Sequence, residues 1–196
     1  MSKLFVFDLD GVLIDSLLNM EHSWDAVRVK HEIEVPFAHY KAQIGKPFPD
    51  IMKTLGLYDR HLEIYETYKT YSRLNIHTIP MYEGVNDTLN ELKDQGHKIA
   101  LCTSKIRETT NILLSKFPKF DYVSCPQQGL RGKPSPDQLL YTIAMCNVDP
   151  KDAVFIGDMM PDLQCATRAG VHFEYAEWGF GELECEHSLK SITNLI

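Results

Sequence analysis

Apolar positions fall into two patterns along the chain. Leu4-Phe5-Val6-Phe7 is an unbroken apolar run, cut at once by Asp8, Asp10 and Gly11. Such a run suits a strand buried on both faces of a parallel sheet. From Asp15 to Pro80 the pattern turns helical and aromatic. Leu17, Met20, Trp24 and Val27 recur at helical spacing. Ile44-Gly45-Lys46-Pro47 breaks the pattern, with Pro47 placed to start a helix, and Asp50–Leu57 and Leu62–Leu74 read as further helices. Beyond Pro80 strands and helices alternate. Val85, Leu89 and Leu92 share a helical face closed by Gly96, and Ile99–Cys102 is a strand. A helix over Ile106–Phe117, a strand over Tyr122–Ser124 and a helix from Pro136 follow. Val154–Ile156 is the next strand, then a helix closed by Gly170, and Val171–Tyr175 is the last strand.

This alternation predicts an α/β fold: a Rossmann-like parallel sheet with helices on both faces. The core comes in two pieces, residues 1–14 and 81–196, with a helical insert, 15–80, after the first strand. A single undivided domain with a helical face is the alternative. At 196 residues and 44% hydrophobic the chain can bury a real core, and low-complexity disorder is excluded. A net charge of −7 speaks against nonspecific nucleic-acid or membrane-surface binding, and no apolar run is long enough for a membrane helix. The N-terminus is too short and acidic for a signal peptide. The five cysteines form no CxxC pair, so free thiols in a reducing cytoplasm are expected. No two of the eight histidines stand at metal-ligand spacing, and Tyr65, Tyr68 and Tyr71 read as helix packing, not as a platform for bases.

Four polar sites follow strands or open helices. Asp8 and Asp10 follow the first strand, Thr103 and Ser104 another. Lys133 lies in the turn before a helix, and Asp158 follows Ile156-Gly157 with Asp162 four residues on. Ligands of open α/β sheets bind beyond the carboxyl ends of the strands, so these groups should face one crevice. Asp8 and Asp10 lie on the same side of the strand, and carboxylates that close need a countercharge. Hard oxygen ligands suit Mg²⁺. With Lys133 and the Thr103 hydroxyl, the set suits a phosphoryl group. The bland readings are a turn or helix cap for the aspartates, a first-turn carboxylate for Asp162, and loop charge for Lys133.

Phe7-Asp8-Leu9-Asp10-Gly11-Val12-Leu13-Ile14-Asp15-Ser16 resembles the first motif of the haloacid dehalogenase-like hydrolases. Leu101-Cys102-Thr103-Ser104-Lys105, Gly132-Lys133-Pro134-Ser135-Pro136-Asp137 and Gly157-Asp158-Met159-Met160-Pro161-Asp162 are similar to the second, third and fourth. The insert resembles the small helical cap of the phosphoglycolate phosphatase-like and β-phosphoglucomutase-like branch, as does Trp178-Gly179-Phe180-Gly181. The resemblance implies a phosphatase in which Asp8 is the nucleophile, Asp10 the acid and base, Thr103 a phosphoryl ligand and Lys133 the partner of Asp8. Mg²⁺ would sit on Asp8, the Asp10 carbonyl and Asp158, with Asp162 in support. Asp10, absent from the family's dehalogenases, favours phosphate esters. Met159 and Met160 depart from the small polar residue common in the fourth motif.

The implied substrate is a small phosphorylated metabolite, bound also by Ser104 and by Lys46 of the insert. Lys46 has a plain reading as surface charge. The partners expected are this metabolite and, at most, a second copy: a monomer or weak homodimer, with no nucleic acid and no membrane. A phosphotransferase or phosphomutase on the same scaffold is the alternative activity, and a non-catalytic binding protein the alternative class.

Overall fold

The computed structural model describes residues 3–196. Six strands form one sheet: β1 (Leu4–Phe7), β2 (Lys98–Cys102), β3 (Tyr122–Ser124), β4 (Ala153–Gly157), β5 (His172–Ala176) and β6 (Ser188–Leu189). Their order is β3-β2-β1-β4-β5-β6, and every pairing is parallel. This is the Rossmann-like order, with its switch point between β1 and β4. The predicted fold class is what the structure has. The apolar pattern puts the last strand at Val171–Tyr175. β6 adds a sixth strand of two residues, too short to show any periodicity.

Period-two alternation sorts the strand residues onto two faces. Phe5, Phe7, Ile99, Leu101, Val154 and Ile156 pack on one side, with Val85, Leu89 and Leu92 of α5 (Val85–Asp94) and Leu113 of α6 (Arg107–Leu113). Leu4, Val6, Ala100, Cys102, Ala153 and Phe155 pack on the other. They meet Leu139 and Ile143 of α7 (Asp137–Met145) and Cys165 and Ala166 of α8 (Met160–Ala169). The sheet is therefore covered on both faces, as its unbroken apolar runs require.

Four helices lie between β1 and α5: α1 (Leu17–His31), α2 (Phe37–Lys41), α3 (Phe48–Thr54) and α4 (His61–Leu74). The five-residue α2 was not predicted. These helices share a third cluster, built on Trp24, Tyr40, Ile44, Met52 and Ile64. Met159 and Phe180, from loops flanking the sheet, insert into it. The chain leaves and rejoins the sheet layer through two paired segments. Ile14 bridges Met81, Asp15 N–H donates to Pro80 O at 3.0 Å, and Tyr82 N–H donates to Leu13 O at 3.2 Å. All five cysteines are free. Among the described residues no helix is long and apolar enough to cross a membrane.

Candidate active site

The sheet brings the four polar sites together at the carboxyl ends of β1, β2 and β4. Asp8 continues β1, its N–H donating to Ile156 O of β4 at 2.9 Å. Thr103 continues β2, its N–H donating to Ser124 O. Gln138 of α7 donates to Thr103 O at 2.9 Å, and the Thr103 hydroxyl accepts from Lys105 N–H at 3.1 Å.

Lys133 is the centre of the site. Its side chain is 0% exposed, 2.9 Å from Asp8 Oδ1 and 2.7 Å from Asp162 Oδ1. The ammonium also lies over the Phe155 ring, 5.2 Å from its centroid. Asp162 uses its other oxygen, Oδ2, to accept from Met159 N–H at 3.1 Å at the start of α8. It is thus both the helix-start carboxylate of the bland reading and a partner of Lys133. Met159 contributes its backbone N–H here, and Met160 is exposed.

Asp158 Oδ2 accepts from Phe180 N–H at 2.7 Å, while its buried Oδ1 has no hydrogen-bond partner among the described groups. Two glycines allow this packing. Gly11, at φ +86°, and Gly179 both press on the Asp158 side chain, leaving no room for a Cβ at either position.

Burial pushes the Asp8 carboxyl up to about 7; Lys133 opposes the rise, and Asp162 and Asp10 add to it. Burial, then Asp162 and Asp8, push Asp158 well above the carboxylate range. Burial disfavours the Lys133 charge too, but Asp162 and Asp8 outweigh it and hold the ammonium well above the usual lysine range. One ammonium cannot neutralise three carboxylates. Ligand oxygens of Asp8, Asp158 and Asp162 all lie within 4.8 Å of one another. A hard divalent cation fits this donor set and would satisfy the orphaned Asp158 oxygen.

Asp10 stands apart from that trio. Its Oδ1 accepts from Ser16 Oγ at 2.5 Å and pairs with Lys105 Nζ at 3.1 Å. The carboxylate lines a cavity of about 410 Å³ between the carboxyl ends of β1 and β2 and the helices α1–α4. Asp8, Thr103, Ser104 and Lys46 also line that cavity, so it gathers residues from both sides of the crevice. Lys46 Nζ donates to Gln43 Oε1 at 2.7 Å, and Ser104 Oγ donates to Gly45 O at 2.6 Å, tying the β2 loop to the insert. Lys133, Asp158 and Asp162 do not line it.

Sequence reasoning missed several contributors. Ser16 and Lys105, the partners of Asp10, lie within the first and second motifs, but neither motif's pattern signals a contact with Asp10. Phe180 contributes a backbone N–H, for which no residue type is a signal. The spacing of Tyr65 and Tyr68 signals helix packing, yet both line the cavity with Phe48.

A model of a family described as haloacid dehalogenase-like hydrolase matches residues 5–176. A phosphoglycolate phosphatase of Nitrosospira multiformis is 26% identical, over 97% of this chain and 92% of its own length. The pyrophosphatase PpaX of Bacillus cereus is 29% identical, over 88% and 82%. Among solved structures, a hydrolase from Pseudomonas syringae superposes with a TM-score of 0.90 at 20% identity, covering 100% of this chain and 96% of that one. CbbY from Rhodobacter sphaeroides, solved in complex with phosphate, gives 0.84 at 17% identity, with coverage of 100% and 96%. At such identities the structural likenesses speak to the fold alone.

Proposed function

Because this chain belongs to the haloacid dehalogenase-like hydrolases, we propose that it is a Mg²⁺-dependent phosphatase of small phosphorylated metabolites. The observation that carries the reading is Lys133, wholly buried between Asp8 and Asp162 with Asp158 alongside. A lone buried cation among three carboxylates is costly unless the site exists to hold further charge. Relatives named phosphoglycolate phosphatase and pyrophosphatase support a phosphoryl substrate.

In this reading Asp8 attacks phosphorus, forming an aspartyl-phosphate, and the P–O bond to the leaving alcohol breaks. Asp10, on the cavity side, gives that alcohol its proton and later takes one from the attacking water. Thr103 binds a phosphoryl oxygen, and Lys133 orients Asp8 and offsets its charge. Asp8 and Asp158, with Asp162 in support and the Asp10 carbonyl, would hold Mg²⁺, which supplies charge neutralisation for the phosphoryl oxygens. Residues 15–80 serve as a cap over the leaving group, with Ser104 and Lys46 at its border. Phe48 and Tyr65 offer an apolar wall there, and Lys46 a positive charge.

The test is phosphate release from a panel of phosphoglycolate, pyrophosphate, sugar phosphates and nucleotides, with Mg²⁺ and with chelator. Turnover should need Mg²⁺ and vanish in Asp8→Asn, and acid quench should trap phosphate on the wild-type protein only. Full activity after exhaustive chelation, or in Asp8→Asn, would sink the reading. Phosphate passed to a sugar instead of water would favour a phosphotransferase.

A further inference from the structure

A second group of metal-ligating side chains lies at the sheet's far edge, away from the carboxylate trio. His172 and Glu174 are two residues apart on β5, so strand periodicity puts them on one face. Phe173 and Tyr175 turn the other way, into the core. The parallel register of β5 with β6 pairs Tyr175 with Ser188, which sets His187 beside Glu174. The backbone fixes this neighbourhood, with Tyr175 N–H donating to His187 O at 3.0 Å. His172 Nε2 lies 2.8 Å from Glu174 Oε1, the two imidazoles are 4.7 Å apart between centroids, and one ligand atom from each residue falls within 4.8 Å of the others.

From this geometry we infer that His172, Glu174 and His187 form a binding site for a borderline divalent cation, with Zn²⁺ as its ligand. Two imidazoles and one carboxylate are a donor set that Zn²⁺ accepts and that Mg²⁺, a hard ion keeping its waters, does not seek. The side chains need move only about an ångström to reach Zn²⁺ at about 2.0–2.2 Å. His172 and His187 are exposed and free to do so. The local charge favours a cation: Glu182, Glu184 and Glu186 precede His187, and no Lys or Arg lies between Arg168 and Lys190.

The site would act as a clip. Between β5 and β6 the chain runs through Trp178, Gly179, Phe180 and Gly181. Trp178 Nε1–H donates to Val12 O at 3.0 Å, and Phe180 N–H donates to Asp158. A two-residue strand is a weak anchor for the end of that segment. Zn²⁺ bridging His187 to β5 fixes it, and so braces the loop against Asp158 from outside the active site. The sequence held no sign of this, because fourteen residues separate His172 from His187 and only the β5–β6 register joins them.

The test is Zn²⁺ titration of the full chain by calorimetry, in excess Mg²⁺ and a phosphine reductant. One Zn²⁺ per chain should bind. At a hundredfold excess over Kd, Tm should rise by about 5–10 °C, since only the folded state offers the three ligands. His172→Gln and His187→Gln should each weaken binding at least about tenfold, since even ligand-supporting residues are worth that much. Cys185→Ser and Asp158→Asn should bind Zn²⁺ as wild type does. Ring-proton resonances of His172 and His187 in the unmutated chain should move with the titration, a readout that needs no variant. Binding that survives both histidine variants, or is lost in Cys185→Ser or Asp158→Asn, overturns the inference, as does no binding at all. Every readout is of binding or unfolding, so the outcome does not depend on whether the chain is a phosphatase.

Discussion

Replacing Lys133 by methionine keeps most of the side chain's bulk and removes its charge. The ammonium sits 2.9 Å from Asp8 and 2.7 Å from Asp162 with no exposure to water. An exposed ion pair would be worth about 0–1 kcal/mol. Here the loss strands buried carboxylates, and breaking a buried pair costs about 3–5 kcal/mol. Asp8 softens the blow, because its carboxyl is already raised to about 7 and can take a proton. The lower end of the range is therefore expected, about 3 kcal/mol. With a urea m-value of about 2 kcal/mol/M, the midpoint should fall by about 1.5 M in chelator. Mg²⁺ should recover part of this. Adding Asp162→Asn should recover part as well, because an amide carries no stranded charge and can still accept from Met159 N–H. Urea titrations followed by far-ultraviolet circular dichroism, on the two single variants and the double, measure the coupling directly. A loss under 1 kcal/mol for Lys133→Met, or strict additivity in the double variant, would refute the argument that this lysine neutralises the trio.

Asp10→Asn should cut turnover of alkyl phosphates strongly and of nitrophenyl phosphate much less, because the latter leaving group needs no proton; rates on matched esters check this. Lys46→Ala should lower kcat/KM about ten- to a hundredfold for substrates bearing a second anionic group, the loss of one charge-assisted hydrogen bond. Tyr65→Ala should instead spare those and raise KM for esters with an apolar ring; steady-state kinetics on both classes separates the two walls of the cavity. Asp137→Asn tests the turn that carries Lys133. Hydrogen bonds from Arg131 hold the Asp137 carboxyl down to about 2. A depressed carboxyl stabilises the fold above its unfolded value and loses that contribution as pH falls through its folded one. The wild type's small advantage over the variant in thermal melts should therefore be present above pH 4 and gone near pH 2, the unfolded value being 3.8.

The sheet and the acid trio were legible because both depend on residue type. Unbroken apolar runs this short, cut off at once by Asp and Gly, suit buried strands better than helices, and carboxylates just past such strands converge wherever the strands lie parallel. Lys133 was legible as a charge in a turn and, through the family resemblance, as the partner of Asp8, though not as a wholly buried group shared with Asp162. What escaped was short or backbone-borne. The α2 and β6 elements are too brief for a period. The N–H of Phe180 on Asp158 belongs to any residue in that place, and the Ser16 and Lys105 contacts with Asp10 depend on how a loop folds back.

The paired crossing at Ile14 and Met81 has a consequence for how such a protein can change over evolutionary time. Since the chain departs and returns at adjacent, hydrogen-bonded points, the length of what lies between them is nearly invisible to the sheet. The neck is a splice junction at the protein level: sequence can be lost, gained or exchanged there while every strand keeps its register. What limits the exchange is the pair Met159 and Phe180, whose apolar side chains reach up from beside Asp158 into the helices above. Any replacement must bring its own apolar socket for those two residues, or leave a greasy patch on the rim of the site.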